Sequence, residues 1–176
     1  MWQRLRRSYP PQFELIPLFL LFLTVYQAWS QYAGLPARIP SHFNLQGVPD
    51  SWGGQSEVLV YPILGAVWYV ILTIINFVLA SARDPRRFIN LPSKWKAALT
   101  DAQADELRVF LNRCLFVLKT LLEGVAAYGL YMAIQVAFGR GAGLGPFFNL
   151  LVAALLAVVA IMLWRTFAIV RPAIRK

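Results

Sequence analysis

Few side chains here have the type and spacing to do chemistry, and most of them fall in one polar stretch. His42 is the single histidine; Asp50 follows it in the same stretch and Glu57 lies four residues beyond its end. An imidazole and two carboxylates form a donor set that suits zinc or a similar divalent ion, but their spacing follows no established ligand pattern. A turn hydrogen bond is the plainer role for His42, and an imidazole also titrates near neutrality, which would suit a pH sensor. A serine nucleophile would have to work through His42 with Ser41 or Ser51. No nucleophile elbow, His-Glu-x-x-His, phosphate-binding glycine loop or dinucleotide fingerprint is present, so the sequence points away from an enzyme and no cofactor is expected. Lys119 and Glu123 form a second constellation, four residues apart and able to pair on one helix face.

The polar stretch runs Leu35-Pro36-Ala37-Arg38-Ile39-Pro40-Ser41-His42-Phe43-Asn44-Leu45-Gln46-Gly47-Val48-Pro49-Asp50-Ser51-Trp52-Gly53. Pro36, Pro40 and Pro49 fix φ and push the residues before them to extended conformations, so the stretch is not helical throughout. Gly47 and the Gly53-Gly54 pair supply the positive-φ freedom a compact turn needs. Val48-Pro49-Asp50-Ser51 reads as a turn, with Asp50 free to accept from nearby amides. A connection of this length with no regular secondary structure is read as functional. Leu35, Ile39, Phe43, Leu45, Val48 and Trp52 give it apolar anchors.

The elements that hold this stretch are greasy. Hydrophobic residues make up 59% of the 176 and charged residues only 14%, about half the share in soluble proteins. The expected fold is all-α: a polytopic integral membrane protein, a four-transmembrane-helix bundle forming a single membrane domain. The spans are read at about 13–31, 58–80, within a long helix at 101–138, and at 146–168, with the motif loop at 32–57 and a charged segment at 81–107. Glu14 and Pro17 fall in the first turns of the first span, Glu14 within reach of Arg6 or Arg7 at the interface. Trp2 and Tyr9 suit a headgroup interface. Asn76 needs a partner helix or a water. Phe88, Ile89, Leu91 and Trp95 are read as lying along the membrane surface. Thr100-Asp101-Ala102-Gln103 has the form of a capping box that starts the long helix. No small-x-small cleavage site follows the first apolar run, so that span is expected to be retained.

The net charge of +9 belongs to topology, not to nucleic acid, because no nucleic-acid-binding motif is present. Four spans put both termini and the 81–107 segment on one side. That side carries three basic residues at the N-terminus, eight from Arg83 to Lys119 and four from Arg165 onward, 15 of the 17 Lys and Arg, leaving Arg38 and Arg140 opposite. The positive-inside rule then makes both termini cytoplasmic and exports the His42 loop. Cys114, the single cysteine, excludes an internal disulfide and a cysteine-based zinc site.

The pattern Leu35-Pro-x-x-Ile39-Pro40-x-His42-Phe43-Asn44-x-x-Gly47-x-Pro49-Asp50-x-Trp52-Gly53 resembles the signature of a bacterial membrane family of unknown function. That family includes the N-terminal part of the SdpI-type immunity proteins. Asn90-Leu91-Pro92, followed by a polar helix start and a third span, is also similar, and the resemblance covers roughly residues 13–138. It implies residence in the bacterial cytoplasmic (inner) membrane and points to immunity against a secreted toxic peptide, with sequestration of a repressor at the membrane. It carries no catalytic residues over. SdpI-type proteins have membrane helices beyond the four read here.

The reading that follows is a non-enzymatic membrane protein. Pro40, His42, Phe43, Asn44, Gly47, Pro49, Asp50, Trp52 and Gly53 would form a loop that meets an extracytoplasmic peptide, lipid or membrane protein, and 81–107 would meet a cytoplasmic partner or anionic lipid. Two alternatives stay open: an accessory subunit of a larger membrane complex, or a metal-dependent enzyme or transporter using His42, Asp50 and Glu57 outside, or Glu123 within the bundle.

Overall fold

The structure is a computed structural model that describes residues 6–7 and 10–174. Trp2, Arg4, Tyr9, Arg175 and Lys176 lie outside the described residues. Five α-helices and one β-hairpin make up most of the described chain: α1 Leu15–Gln31, β1 Ile39–Phe43, β2 Pro49–Gly53, α2 Val60–Ser81, α3 Ser93–Ala98, α4 Asp101–Ala137 and α5 Gly145–Ile174.

Pro17 sits in the first turn of α1, where its missing N–H leaves no ladder bond broken. Thr24, fully buried, bonds back to the Leu20 carbonyl at 2.9 Å instead of competing with the ladder. α4 starts just after Thr100, whose hydroxyl accepts from the Gln103 amide while Gln103 Oε1 accepts from the Thr100 amide. Pro146 takes the second position of α5.

Pro11–Gly34, Gln55–Ser81 and Gly145–Pro172 are helical stretches long and apolar enough to cross a membrane, with mean hydropathies of 1.4, 2.3 and 2.6. The chain is a membrane protein. α4 has the length, roughly 55 Å at 1.5 Å per residue, but its polar first half sets it apart from those three.

The expectation of an all-α chain needs one correction. The polar stretch folds as an antiparallel ribbon that pairs Ile39 with Gly53, Pro40 with Trp52, His42 with Ser51 and Phe43 with Pro49, with irregularities on both sides of His42. Prolines argue against a central strand, but in a two-stranded ribbon each strand has a free edge where a missing N–H costs nothing. The turn also lies earlier than expected. Asn44 N–H donates to Val48 O, Gly47 N–H donates to Asn44 O, and Asn44 Oδ1 accepts from the amides of Gln46 and Val48. Gly47 closes the turn at φ +75°. Pro49 and Asp50 therefore begin the return strand.

The chain divides into two compact units. The first comprises Glu14–Val70 and Lys119–Leu155. Its core joins Ala28 of α1, Leu35, Ile39 of the ribbon, Val58, and Leu130 and Ile134 of α4, with Ile39, Val58 and Leu130 fully buried. Burying a side chain of that size is worth about 2 kcal/mol relative to exposing it. The ribbon is thus anchored by the residue that opens it.

The second unit comprises Met1–Phe13, Ile71–Leu118 and Leu156–Lys176. Leu79, Ile89, Leu99, Leu107, Ile169 and Val170 form its core, and Leu91 and Trp95 pack against it. Of the four residues expected along a membrane surface, Ile89, Leu91 and Trp95 therefore serve the unit's own interior and Phe88 stays exposed. A short apolar run with prolines reads the same from sequence either way. Asn76 finds its partner on another helix, donating to the carbonyl and side-chain oxygen of Asn112 at 3.0 and 2.8 Å. Buried Arg108 donates to Ala82 O and to Asp105. Arg86 donates to Asp101, Asp84 and the Leu99 carbonyl, and the bond to Asp101 raises its already high pKa.

Candidate functional site

The candidate site lies in the first unit, where the ribbon meets the helices. Across the strands His42 Nδ1 lies 2.6 Å from Asp50 Oδ1, and Ser41 Oγ lies 3.0 Å from Ser51 Oγ. Asp50 thus binds the imidazole and not the nearby amides expected of it. Both partners are well exposed, at 68% and 44% of the side chain. Such a pair contributes at most about 1 kcal/mol to stability and stays open to a ligand.

The tip of the ribbon is fixed by the loop between α4 and α5. Leu144 N–H donates to Gly47 O at 2.8 Å, and Gly143 comes so close that a Cβ there would run into the Gly47 carbonyl. Leu45 projects from the tip, 96% exposed.

A cavity of about 750 Å³ opens beside this tip. Ser41, His42, Asn44 and Asp50 give it a polar rim; Leu64 and Trp68 of α2, Leu122 and Val125 of α4, and Phe148 and Val152 of α5 give it apolar walls. Among the described residues no lysine or arginine lines it. Leu64 and Trp68 are partly exposed, so the α2 wall is open to the surroundings. Gly129 lets α4 approach closely, since a Cβ there would lie 3.2 Å from the Tyr61 ring and 3.4 Å from Phe148. A second, almost wholly apolar cavity of about 630 Å³ lies against Leu20, Gln27, Tyr128 and Phe147.

Residues 18–66, which hold most of α1 and the whole ribbon, match a family described as a domain of unknown function (DUF1648). The match covers the candidate loop. An uncharacterized protein from Archaeoglobus fulgidus is 37% identical over 83 residues, which cover 46% of this chain. That stretch spans 43% of the relative's own length. No solved structure matches.

Other residues singled out from the sequence scatter. Phe43 and Gly47 line the cavity with His42, Asn44 and Asp50. Pro49 faces Phe43 across the ribbon, and Trp52 faces the buried Pro40. Glu57 folds its carboxylate over Gly53, in contact with the space a Cβ would take. Among the described residues no group of three His, Cys, Asp or Glu is placed to hold a metal ion.

The Lys119–Glu123 pairing is overturned. Lys119 Nζ lies 2.7 Å from both carboxylate oxygens of Glu14, and Tyr69 Oη donates to Glu14 at 3.2 Å. The ammonium also sits 5.0 Å from the Tyr69 ring centroid. Glu123 is fully buried one turn along α4, and neither of its oxygens has a hydrogen-bond partner among the described residues. The sequence held one signal for the true pair: a lysine at membrane depth requires an anion, and Glu14 is the other acid inside a span.

Proposed function

We propose that this chain is a non-enzymatic, four-span protein of the cytoplasmic membrane that recognises an extracytoplasmic amphiphile in the cavity beside the ribbon. α4 supplies the third of the four spans in chain order, and the neutralisation of Lys119 by Glu14 removes the main electrostatic obstacle to its insertion. The skew of 15 of 17 basic residues to one side supports cytoplasmic termini and an exported ribbon. The ligand's apolar body lies along Leu64, Val125 and Val152 while its head meets His42 and Asp50. The observation that carries this reading is the cavity itself, with an exposed, hydrogen-bonding rim on an apolar slot of about 750 Å³.

The test uses the full chain in lipid nanodiscs and an uncharged alkyl glycoside bearing an environment-sensitive fluorophore. Saturable binding is expected, and Ala126→Trp, which fills the slot, should weaken it at least tenfold. Unsaturable partitioning unchanged by the tryptophan would reject the cavity as a binding site.

The likeness of the ribbon's sequence to the SdpI-type signature supports immunity or signalling as the consequence of occupancy. The basic 81–107 segment would then pass the signal to a cytoplasmic partner or to anionic lipid. A second reading, as a subunit of a larger complex, is favoured by one observation: Leu45 stands 96% exposed at a rigid tip. Leu45→Glu should abolish co-purification of a membrane partner in that case, whereas Ala126→Trp inside the slot should leave it intact.

A further inference from the structure

The unpartnered Glu123 carboxylate and the cavity share a wall. Glu123 Oε2 lies 2.9 Å from the position a Cβ on Gly65 would take, and Gly65 lines the cavity. On its other side that position lies 3.2 Å from Leu21 Cδ1. The bare glycine is what lets the carboxylate reach the cavity wall. Burying an ionised carboxylate without a hydrogen bond costs several kcal/mol, a cost that a proton on the group or a cation beside it removes.

Lys119, one turn away on the same helix, is the neighbouring cation, but it makes no hydrogen bond to Glu123. Lys119 on the same helix is engaged by Glu14 of the segment leading into α1, and Tyr69 of α2 donates to the same Glu14. Tyr61 is the other ionisable group on this part of α2, and the stretch 145–155 of α5 has none. Among the described residues Asp50 and His42 are the titratable groups at the cavity's rim, and the rings of Tyr61, Trp68 and Phe148 are among its walls. Aromatic faces attract soft cations in a dry site.

We propose that the cavity takes lipophilic cations and that Glu123 is a proton-binding site discharged by them. The inference rests on the amphiphile-binding reading and names its ligand class. When an organic cation settles against the aromatic walls, the Glu123 O–H bond breaks, its electron pair stays on the carboxylate, and the proton leaves to solvent. One positive charge enters as one departs. Cation and proton compete, so binding tightens as pH rises by up to roughly tenfold per unit while Glu123 remains protonated.

Calorimetry of tetraphenylphosphonium binding to the full chain, in buffers of different ionisation enthalpy, tests this. Release of about one proton per cation is expected. Glu123→Gln should unfold at the same temperature, release none and bind at least tenfold more weakly. A carbodiimide, which attacks protonated buried carboxyls, should modify Glu123 in the wild type and be blocked by tetraphenylphosphonium, a readout that stands even if the glutamine variant does not fold. Binding without proton release, release that persists in Glu123→Gln, or carbodiimide labelling that ignores the cation would each overturn the proposal. Saturable binding of the neutral glycoside with none of tetraphenylphosphonium would sink this inference alone; failure of both probes would sink the cavity reading too.

Discussion

Lys119 and Glu14, 105 positions apart, meet with the ammonium nitrogen 2.7 Å from each carboxylate oxygen, and the lysine side chain is wholly buried. The pair ties the start of α1 to the middle of α4. Breaking it leaves an unbalanced charge in a low-dielectric interior. Lys119→Met should destabilise the protein by about 3 kcal/mol. Adding Glu14→Gln should recover a large part of that loss, because the orphaned carboxylate is gone. Unfolding of the single and double variants in detergent measures both, and additive losses would show that the two side chains do not interact.

Gly143 and Gly47 place two backbones in contact without room for a Cβ on Gly143. Gly143→Ala must push the α4–α5 loop off the ribbon tip, at a cost of about 2 kcal/mol. Gly47→Ala adds left-handed strain of about 1–2 kcal/mol. Both should lower the unfolding temperature, and Gly143→Ala should also weaken the fluorescent glycoside because the rim at Asn44 moves. An unchanged melting curve for Gly143→Ala would contradict the close approach.

His42 and Asp50 behave oppositely. Their pair is exposed, so His42→Ala and Asp50→Asn should each shift stability by no more than about 1 kcal/mol. Their effect should appear in ligand binding, where the head group loses its partner. Large unfolding shifts with normal probe binding would assign the pair to structure instead.

Topology has a direct measurement. In a Cys114→Ser background, a cysteine at Ser51 should react with an impermeant maleimide in intact cells, and one at Lys94 only after permeabilisation. The reverse pattern would invert the orientation and move the cavity rim to the cytoplasmic side.

Inside the second unit Asn76 Nδ2 donates to both the side-chain oxygen and the carbonyl of Asn112, while Asn76 Oδ1 has no partner among the described residues. Asn112→Ala removes the 2.8 Å bond and leaves Asn76 Nδ2 only the backbone carbonyl at position 112, and should cost about 1 kcal/mol in unfolding free energy. Replacing both by leucine should be better tolerated than replacing Asn112 alone, because no polar group is then left buried without a partner.

Much of this protein was legible in its residues. Uninterrupted apolar runs can only be satisfied as membrane helices, since backbone amides in lipid must bond within their own segment. Thr100 and Gln103 announce the start of α4 because a capping box is a contact between residues three apart. Prolines and glycines excluded a helix between α1 and α2, and drew attention to His42. Side-chain chemistry and short-range geometry are written in order along the chain, so they can be read from it.

What the tertiary structure decided are the relationships that ignore chain order. The ribbon exists because Ile39 finds a core made by α1 and α4, and because both strands keep a free edge for proline. Lys119 has an anion four residues away and takes one 105 residues away, because α1 delivers Glu14 to it while Glu123 turns toward Gly65. Helical spacing allows the first pairing and packing selects the second. The cavity, too, is a gap left by three helices and a ribbon, and no single segment encodes it.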